Sequence, residues 1–234
     1  MRWVIRISAV LLVSFCADAV RADHVLLVHG LGRTARSMQP LERPLQDAGY
    51  VVHNVGYPSR DGDPDELVEH LARAVEACRE DSTEPIHFVT HSLGGILVRA
   101  YLAEAKPDPM GRVVQLAPPN RGSELVDRLG ELADLLGPTG SQLGTGEESL
   151  PNRLLPPDYE LGVIAGNGSI SLVSTLIPGP DDGKVSVESA KLEGAADFLL
   201  VDATHTFIMR REDVALQVVT FLETGRFVRD EVGP

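Results

Sequence analysis

The sequence predicts an α/β protein built on a mostly parallel sheet with helices on both faces. Short apolar runs alternate along the chain with amphipathic segments of helical periodicity. Strands that alternate with helices in this way form parallel sheets. The 234 residues, of which 43% are hydrophobic, suffice for one substantial core. We therefore expect a single domain over residues 23–234.

The first 22 residues have the layout of a secretory signal peptide. MRWVIR carries two arginines, and the apolar run that follows at 7–17 is shorter than a membrane-spanning helix requires. VRA at 20–22 supplies the aliphatic and small residues that precede a cleavage site. We therefore predict that residues 1–22 are a signal peptide and that the protein is exported to the periplasm or outside the cell. One alternative is that this segment stays attached as a membrane anchor, and another is that it forms an ordinary first strand. Cys16 could also suggest a lipoprotein, but Phe15 is a poor residue before a lipidated cysteine.

Six strands and four helices are predicted, each from a local signal. The strands are short apolar runs that suit burial in a sheet, at 24–29, 50–55, 86–90, 112–117, 162–167 and 198–203. The helices have apolar residues at three- and four-residue intervals, at 35–49, 64–80, 93–105 and 212–225. Thr34 is a suitable N-cap for the first helix, and Gly49 is a suitable stop. Leu67, Leu71 and Val75 lie near one face of the second helix.

One stretch, residues 118–160, departs from this alternation. It is rich in Gly and Pro and contains a helical patch, SELVDRLGELADLLG, at 123–137. A long insertion after a strand is typical of a lid or a substrate-binding cap. We therefore expect a small cap around 118–160. Its helical patch is predicted to present Leu125, Leu129, Leu132 and Leu136 on one side. That apolar side either faces an apolar ligand or packs onto the core.

Ser92 lies where a strand meets a helix in FVTHSLGGILV, residues 88–98. A serine on such a tight turn has a strained backbone and an outward hydroxyl. Strand and helix approach closely there, so the residues two positions away must be small, as Thr90 and Gly94 are. The backbone N–H of Leu93, at the helix N-terminus, is free to bind an oxyanion. The alternative is a structural serine that only caps the helix.

Other chemically active residues also follow predicted strands. His29, Asp181, Asp182 and His205 can therefore meet Ser92 at the carboxyl edge of the sheet. A serine needs a base to take its proton, and histidine can do so near neutral pH. A buried carboxylate then fixes the imidazole tautomer.

Two histidines and three carboxylates have competing interpretations. We expect His91 to point away from Ser92 and to support the site from behind. We expect His29 to hold the loop after the first strand by hydrogen bonding. Asp182, Asp181 and Asp202 all remain candidates for the acid at this point.

These stretches resemble the α/β-hydrolase superfamily, and within it the compact bacterial lipases and esterases. The resemblance rests on five segments in chain order: HGLGR (29–33), THSLGG (90–95), LAPPNRGS (116–123), PDDGKVSVESA (180–190) and DATHTFIM (202–209). Thr90 replaces the first glycine of the Gly-x-Ser-x-Gly pattern. The resemblance implies Ser92, Asp182 and His205 as the catalytic residues, in the superfamily's chain order. It also implies an oxyanion hole formed by the backbone N–H groups of Leu31 and Leu93.

The resemblance implies a serine hydrolase that cleaves carboxylic esters through an acyl-enzyme. The expected substrate is a small apolar ester or a lipid, with transient contact to a lipid surface. The alternatives are an acyltransferase and a non-catalytic binding member of the same fold. The net charge of −13 argues against nucleic acid as a partner. We expect no metal and no cofactor, since Thr206, Phe207 and Ile208 stand where some lipases carry a calcium-binding Asp.

Overall fold

A computed structural model describes residues 22–169 and 175–229, with a six-stranded sheet at the centre. The strands are β1 (His24–Val28), β2 (Val51–Val55), β3 (Ile86–His91), β4 (Met110–Leu116), β5 (Leu161–Gly166) and β6 (Asp197–Val201). Their order in the sheet is β2-β1-β3-β4-β5-β6. Every neighbouring pair is parallel, so the predicted fold class is confirmed. Residues 1–21 of the predicted signal peptide lie outside the described residues.

Four long helices flank the sheet, and short helical turns fill the connections. The long helices are α1 (Gln39–Asp47), α2 (Pro64–Asp81), α3 (Leu93–Glu104) and α8 (Glu212–Thr224). The short ones are α4 (Glu124–Leu129), α5 (Gly137–Gly140), α6 (Leu150–Arg153) and α7 (Val187–Ala190). Further 3₁₀ turns occupy Ala35–Met38, Gly130–Leu136 and Ile208–Arg210. Among the described residues, we find no helix with the length and apolar character that crossing a membrane requires.

Side chains that point alternately to the two faces of the sheet divide the hydrophobic core into two layers. Val25 and Leu27 of β1 pack with residues of α1 and α8. Leu26 and Val28 pack on the opposite face with residues of α2 and α3. Successive side chains of a strand point to opposite faces, so a continuous apolar run serves both layers. The predicted coverage of both faces by helices is thus confirmed.

The predicted helix 35–49 is two elements rather than one. A 3₁₀ turn covers Ala35–Met38, and α1 begins only at Gln39. Pro40 lies in the first turn of α1, where its missing N–H costs no intrahelical hydrogen bond, and α1 also contains Pro44 in its interior. Thr34 precedes the 3₁₀ turn without making a side-chain capping bond. Gly49, at a φ of 94°, follows the end of α1 as predicted.

The segment 118–160 forms several short helical pieces, not one continuous helix. Gly130 ends α4 with a φ of 51°, a conformation that glycine adopts at little cost. The 3₁₀ turn that follows changes the angular spacing of the side chains. Leu132 is therefore 60% exposed, and the expectation that it lies on the same side as Leu125 and Leu129 is wrong.

Candidate active site

The turn between β3 and α3 holds Ser92 in a strained conformation. Its φ is 52° and its ψ is −122°, a region in which a residue with a side chain is held at a cost of roughly 1–3 kcal/mol. Its backbone N–H donates to the carbonyl of Leu116 on β4 at 2.9 Å. The hydroxyl makes no capping bond to α3, so the interpretation of Ser92 as a simple helix cap is wrong.

Gly94 allows helix α3 to approach the end of β1. A Cβ at this position would lie 2.5 Å from the carbonyl oxygen of Val28 and 2.6 Å from that of His29. Both contacts are with backbone, which cannot rotate away as a flexible side chain could. The close approach predicted from the sequence is therefore present, and it requires glycine.

His205 lies between Ser92 and Asp182 in one hydrogen-bonded chain. Its Nε2 is 3.0 Å from Ser92 Oγ, and its Nδ1 is 2.8 Å from Asp182 Oδ2. With the imidazole proton on Nδ1, every hydrogen bond in this series has a donor and an acceptor. Nδ1 then donates to the Asp182 carboxylate, and Nε2 accepts from the Ser92 hydroxyl. Both His205 and Asp182 are buried.

Backbone donors hold the Asp182 carboxylate in place. Its Oδ1 accepts from the N–H groups of Lys184 at 3.0 Å and Val185 at 2.9 Å. Oδ2 is therefore the oxygen that faces the imidazole, and the backbone of Asp182 also accepts from the N–H of His205. These contacts fix the loop containing Asp182 against the loop containing His205.

The two other candidate acids lie in different surroundings. Asp181 is buried, and its Oδ1 accepts from the N–H of Gly183 at 2.7 Å. Asp202, by contrast, is exposed. The structure thus brings Asp182, rather than its two competitors, to Nδ1 of His205.

The loop after β1 presents Leu31 beside the serine turn. Leu31 and Ser92 line the same cavity. Among the hydrogen bonds of residues 22–169 and 175–229, none uses the backbone N–H of Leu31 or Leu93 as a donor. The loop is held by other contacts, including one from the N–H of Gly32 to Ser59 Oγ at 3.0 Å. Neither of the two predicted oxyanion donors therefore has a protein acceptor in the described part of the chain.

Two further histidines support the site without contacting Ser92 Oγ. His29 Nδ1 bonds to the carbonyl of Gly30 at 3.0 Å, which agrees with its expected role in the loop. His91 Nε2 donates to the carbonyl of His205 at 2.9 Å. Burial, together with the nearby His205 ring, lowers the pKa of His91 well below its usual value, so His91 stays neutral.

A cavity of about 120 Å³ opens beside Ser92 and His205. Most of its wall is apolar and comes from the loop after β1 and from the segment 118–160. These residues include Leu31, Leu125, Val126, Leu129, Leu136 and Leu143. A serine beside an apolar cavity is a suitable site for an apolar group attached to a reactive carbonyl.

Comparison with known proteins identifies the family. The model of the alpha/beta hydrolase family matches residues 25–211. The chain belongs to the alpha/beta hydrolase family. The match includes the three residues of the hydrogen-bonded chain.

Sequence relatives of this α/β hydrolase include two lipases. It is 30% identical over 112 residues to a triacylglycerol lipase of Pseudarthrobacter phenanthrenivorans, a match that covers 44% of this chain and 35% of the relative. The same identity and length hold for a triacylglycerol lipase of Burkholderia plantarii, of which 31% is covered. The chain thus spans about a third of the length of these relatives.

Solved structures share the fold over a longer stretch. A lipase of Bacillus licheniformis in its mature form superposes with a TM-score of 0.69 at 22% identity, over 87% of this chain and 91% of that one. The phospholipase PlaB of Legionella pneumophila gives a TM-score of 0.68 at 17% identity, over 88% and 60% of the two chains. At these identities the likeness demonstrates the fold.

Within residues 22–169 and 175–229, the α/β hydrolase has a group of potential metal ligands that the sequence analysis missed. His24, His53 and Cys78 come from β1, β2 and α2, and their ligand atoms lie within 4.8 Å of one another. No sequence spacing reveals such a group, because the three elements are far apart in the chain. His53 Nε2 and His24 Nδ1 are joined by a 2.9 Å hydrogen bond.

Proposed function

We propose that this chain is a serine hydrolase that cleaves carboxylic esters of the lipase and esterase type. The observation that carries the proposal is the chain of hydrogen bonds from Ser92 through His205 to Asp182. The position of Ser92 at a strained turn beside an apolar cavity supports the same reaction. The matches to triacylglycerol lipases favour an ester as the substrate.

In the proposed reaction, His205 Nε2 takes the proton of Ser92 Oγ as that oxygen attacks the ester carbonyl. The imidazolium that forms is stabilised by the Asp182 carboxylate, which also keeps the ring proton on Nδ1. Negative charge develops on the former carbonyl oxygen. The backbone N–H groups of Leu31 and Leu93 bind this oxyanion, and each donor contributes about 10²–10³ in rate.

The tetrahedral intermediate then collapses to an acyl-enzyme. The C–O bond to the alcohol breaks, and His205 gives its proton to the departing oxygen. Water then attacks the carbonyl of the acyl-enzyme, and His205 takes a proton from it as the base. When the bond to Ser92 Oγ breaks, His205 returns that proton to the serine, and the carboxylic acid product leaves. An acyltransferase uses the same acyl-enzyme but passes the acyl group to an alcohol, so it is the second candidate.

The surface around the site suits brief contact with a lipid phase. Leu132 and Leu135 of the segment 118–160 are 60% and 69% exposed, and Phe207, two residues after His205, is 53% exposed. Exposed large apolar residues near a site lined by leucines favour an apolar surface as a transient partner. We infer a lipid or a small apolar ester as the substrate.

A series of p-nitrophenyl esters of increasing acyl length tests this function. We expect the wild type to hydrolyse the series with a chain-length optimum, and Ser92→Ala to lose the activity. Adding a short alcohol and analysing the products separates hydrolysis from acyl transfer. The absence of wild-type activity on every ester would contradict the proposed function.

We also propose that the protein is exported, with cleavage after Ala22. The support is the layout of residues 1–22 alone: two early arginines, an apolar run and a VRA site. The mature chain then lacks Trp3, the single tryptophan. Mass spectrometry of the exported fraction is expected to give an N-terminus at Asp23, and an intact Met1 there would refute the proposal.

A further inference from the structure

Two basic residues share the cavity with Ser92 and His205. Arg33 comes from the loop after β1, and Lys184 follows Asp182 by two residues. Arg33 is half-buried, whereas Lys184 is exposed at the rim. Two unrelated loops thus bring positive charge to one wall of an otherwise apolar cavity.

Among the described residues, neither cation has an ion-pair partner, although the Asp182 carboxylate lies close enough to Lys184 to offset part of its charge. Across the two described ranges, 22–169 and 175–229, no side-chain hydrogen bond or ion pair engages Arg33 or Lys184. Other cations are paired, such as Arg121 with Glu188 at 2.7 Å. The nearby carboxylate of Asp182 is already bound by His205 and by backbone N–H groups.

The two cations repel each other, and no carboxylate forms an ion pair with either of them in the described ranges. The ammonium group of Lys184 is partly desolvated, and the neighbouring Arg33 guanidinium adds repulsion; together they lower the pKa of Lys184. The sequence holds 34 acidic against 21 basic residues, so carboxylates are plentiful elsewhere on the molecule. Two neighbouring cations that line the cavity of an acidic protein, without ion-pair partners among the described residues, favour a ligand that carries negative charge.

We propose that the substrate of this site is an ester that carries a phosphate group on its alcohol part, held by Arg33 and Lys184. The inference rests on the proposed ester hydrolysis and narrows its substrate class. A guanidinium binds phosphate oxygens through two parallel N–H bonds, and a lysine adds a mobile point charge. The acyl chain lies along the leucine-lined wall, and the ester carbonyl lies between the two at Ser92.

The acidic character of the whole chain adds to the selectivity proposed for this cavity. A net charge of −13 repels anionic molecules at long range. The two cations that line the cavity then favour an anion only where its acyl chain can also enter. Binding therefore depends on both ends of the substrate. A free phosphate lacks the acyl chain that fills the apolar part of the cavity, and a neutral ester lacks the charge that the two cations bind.

The test compares two soluble esters with the same acyl chains. One is 1,2-dihexanoylglycerol, which is neutral, and the other is 1,2-dihexanoyl-phosphatidylglycerol, which carries one phosphodiester. Both are assayed below the concentration at which they form micelles, and released hexanoic acid is titrated. The readout is the ratio of kcat/KM for the phosphate ester to kcat/KM for the neutral ester, so a general loss of activity cancels.

We expect the wild type to prefer the phosphate ester. In each single variant, Arg33→Gln and Lys184→Gln, the ratio is expected to fall about tenfold, mainly because KM for the phosphate ester rises. Charge-assisted hydrogen bonds have this order of strength. Arg36→Gln is the matched control, because Arg36 is exposed nearby on the same segment and does not line the cavity. It is expected to leave the ratio unchanged.

The outcomes separate this inference from the proposed function. Hydrolysis of both esters with a ratio that stays within twofold in Arg33→Gln and Lys184→Gln would overturn the inference and leave ester hydrolysis intact. A ratio that falls equally in Arg36→Gln would also overturn it, since general surface charge would then be responsible. A wild type that hydrolyses neither ester would overturn the proposed function itself.

Discussion

Replacing Asp182 with asparagine tests the role of the acid with almost no change in shape. In the wild type, Oδ1 of Asp182 accepts from two backbone N–H groups, at 3.0 and 2.9 Å, and Oδ2 faces His205 Nδ1 at 2.8 Å. The asparagine oxygen is expected to take the Oδ1 position, because its NH₂ group there would oppose two donors. Losing those two bonds would cost about 1–3 kcal/mol.

The amide nitrogen of the asparagine must then face His205. It donates to Nδ1, so the ring proton moves to Nε2, the atom that has to accept from Ser92 Oγ. The base is thus blocked by its own tautomer, and the imidazolium loses its carboxylate. We expect Asp182→Asn to lower kcat by roughly 10⁴, about 5.5 kcal/mol of barrier, as in other sites of this design.

The assay is turnover of p-nitrophenyl butyrate by purified variants whose urea midpoints are measured in parallel. Asp202→Asn is the matched control, since Asp202 is exposed, and it is expected to stay within a few-fold of wild type. A folded Asp182→Asn that keeps wild-type turnover would refute the reasoning. A crippled Asp202→Asn would instead show that the acid is misassigned.

Two more predictions concern packing and pH. Gly94→Ala is expected to lower both kcat and stability, because the added Cβ would lie 2.5 and 2.6 Å from backbone oxygens and overpacking costs about 1–3 kcal/mol. Gly56→Ala is the control, since a Cβ there would have no atom within 4 Å. Equal effects of the two changes on the urea unfolding midpoint would disprove the argument. Burial lowers the pKa of His91 below 6.5, so below pH 6.5 the unfolded chain binds a proton that the folded chain does not. Stability therefore falls on acidification by up to about 1.4 kcal/mol per pH unit for this group. His91→Gln is expected to lose less between pH 7 and pH 5.5 than wild type does, and identical losses would show that His91 does not contribute.

The parts that the sequence predicts well are those fixed by local rules. Apolar runs of strand length and amphipathic helical segments set the layers of the sheet. Ser92 between them, with Gly94 two residues on, marks the tight turn, since a close backbone approach excludes a Cβ. The carboxyl-edge rule then brings His205 and Asp182 to the same place, because parallel strands end together.

The parts that the sequence does not predict depend on long-range packing or on backbone detail. The break at Gly130 turns Leu132 outward, although its spacing fits a continuous helix. Burial of Asp181 follows from how its loop packs, which no local pattern reveals. The meeting of Arg33 and Lys184, from segments about 150 residues apart, is visible only once the two loops are placed on one cavity wall.

The most direct test of the central role of Ser92 is covalent labelling with a fluorophosphonate, followed by peptide mapping. The wild type is expected to gain one adduct, on Ser92, because this serine has His205 within 3.0 Å to take its proton. Ser92→Ala is expected to gain none, and His205→Ala is expected to react far more slowly. An adduct on another serine, or labelling of Ser92→Ala at the wild-type rate, would contradict the account.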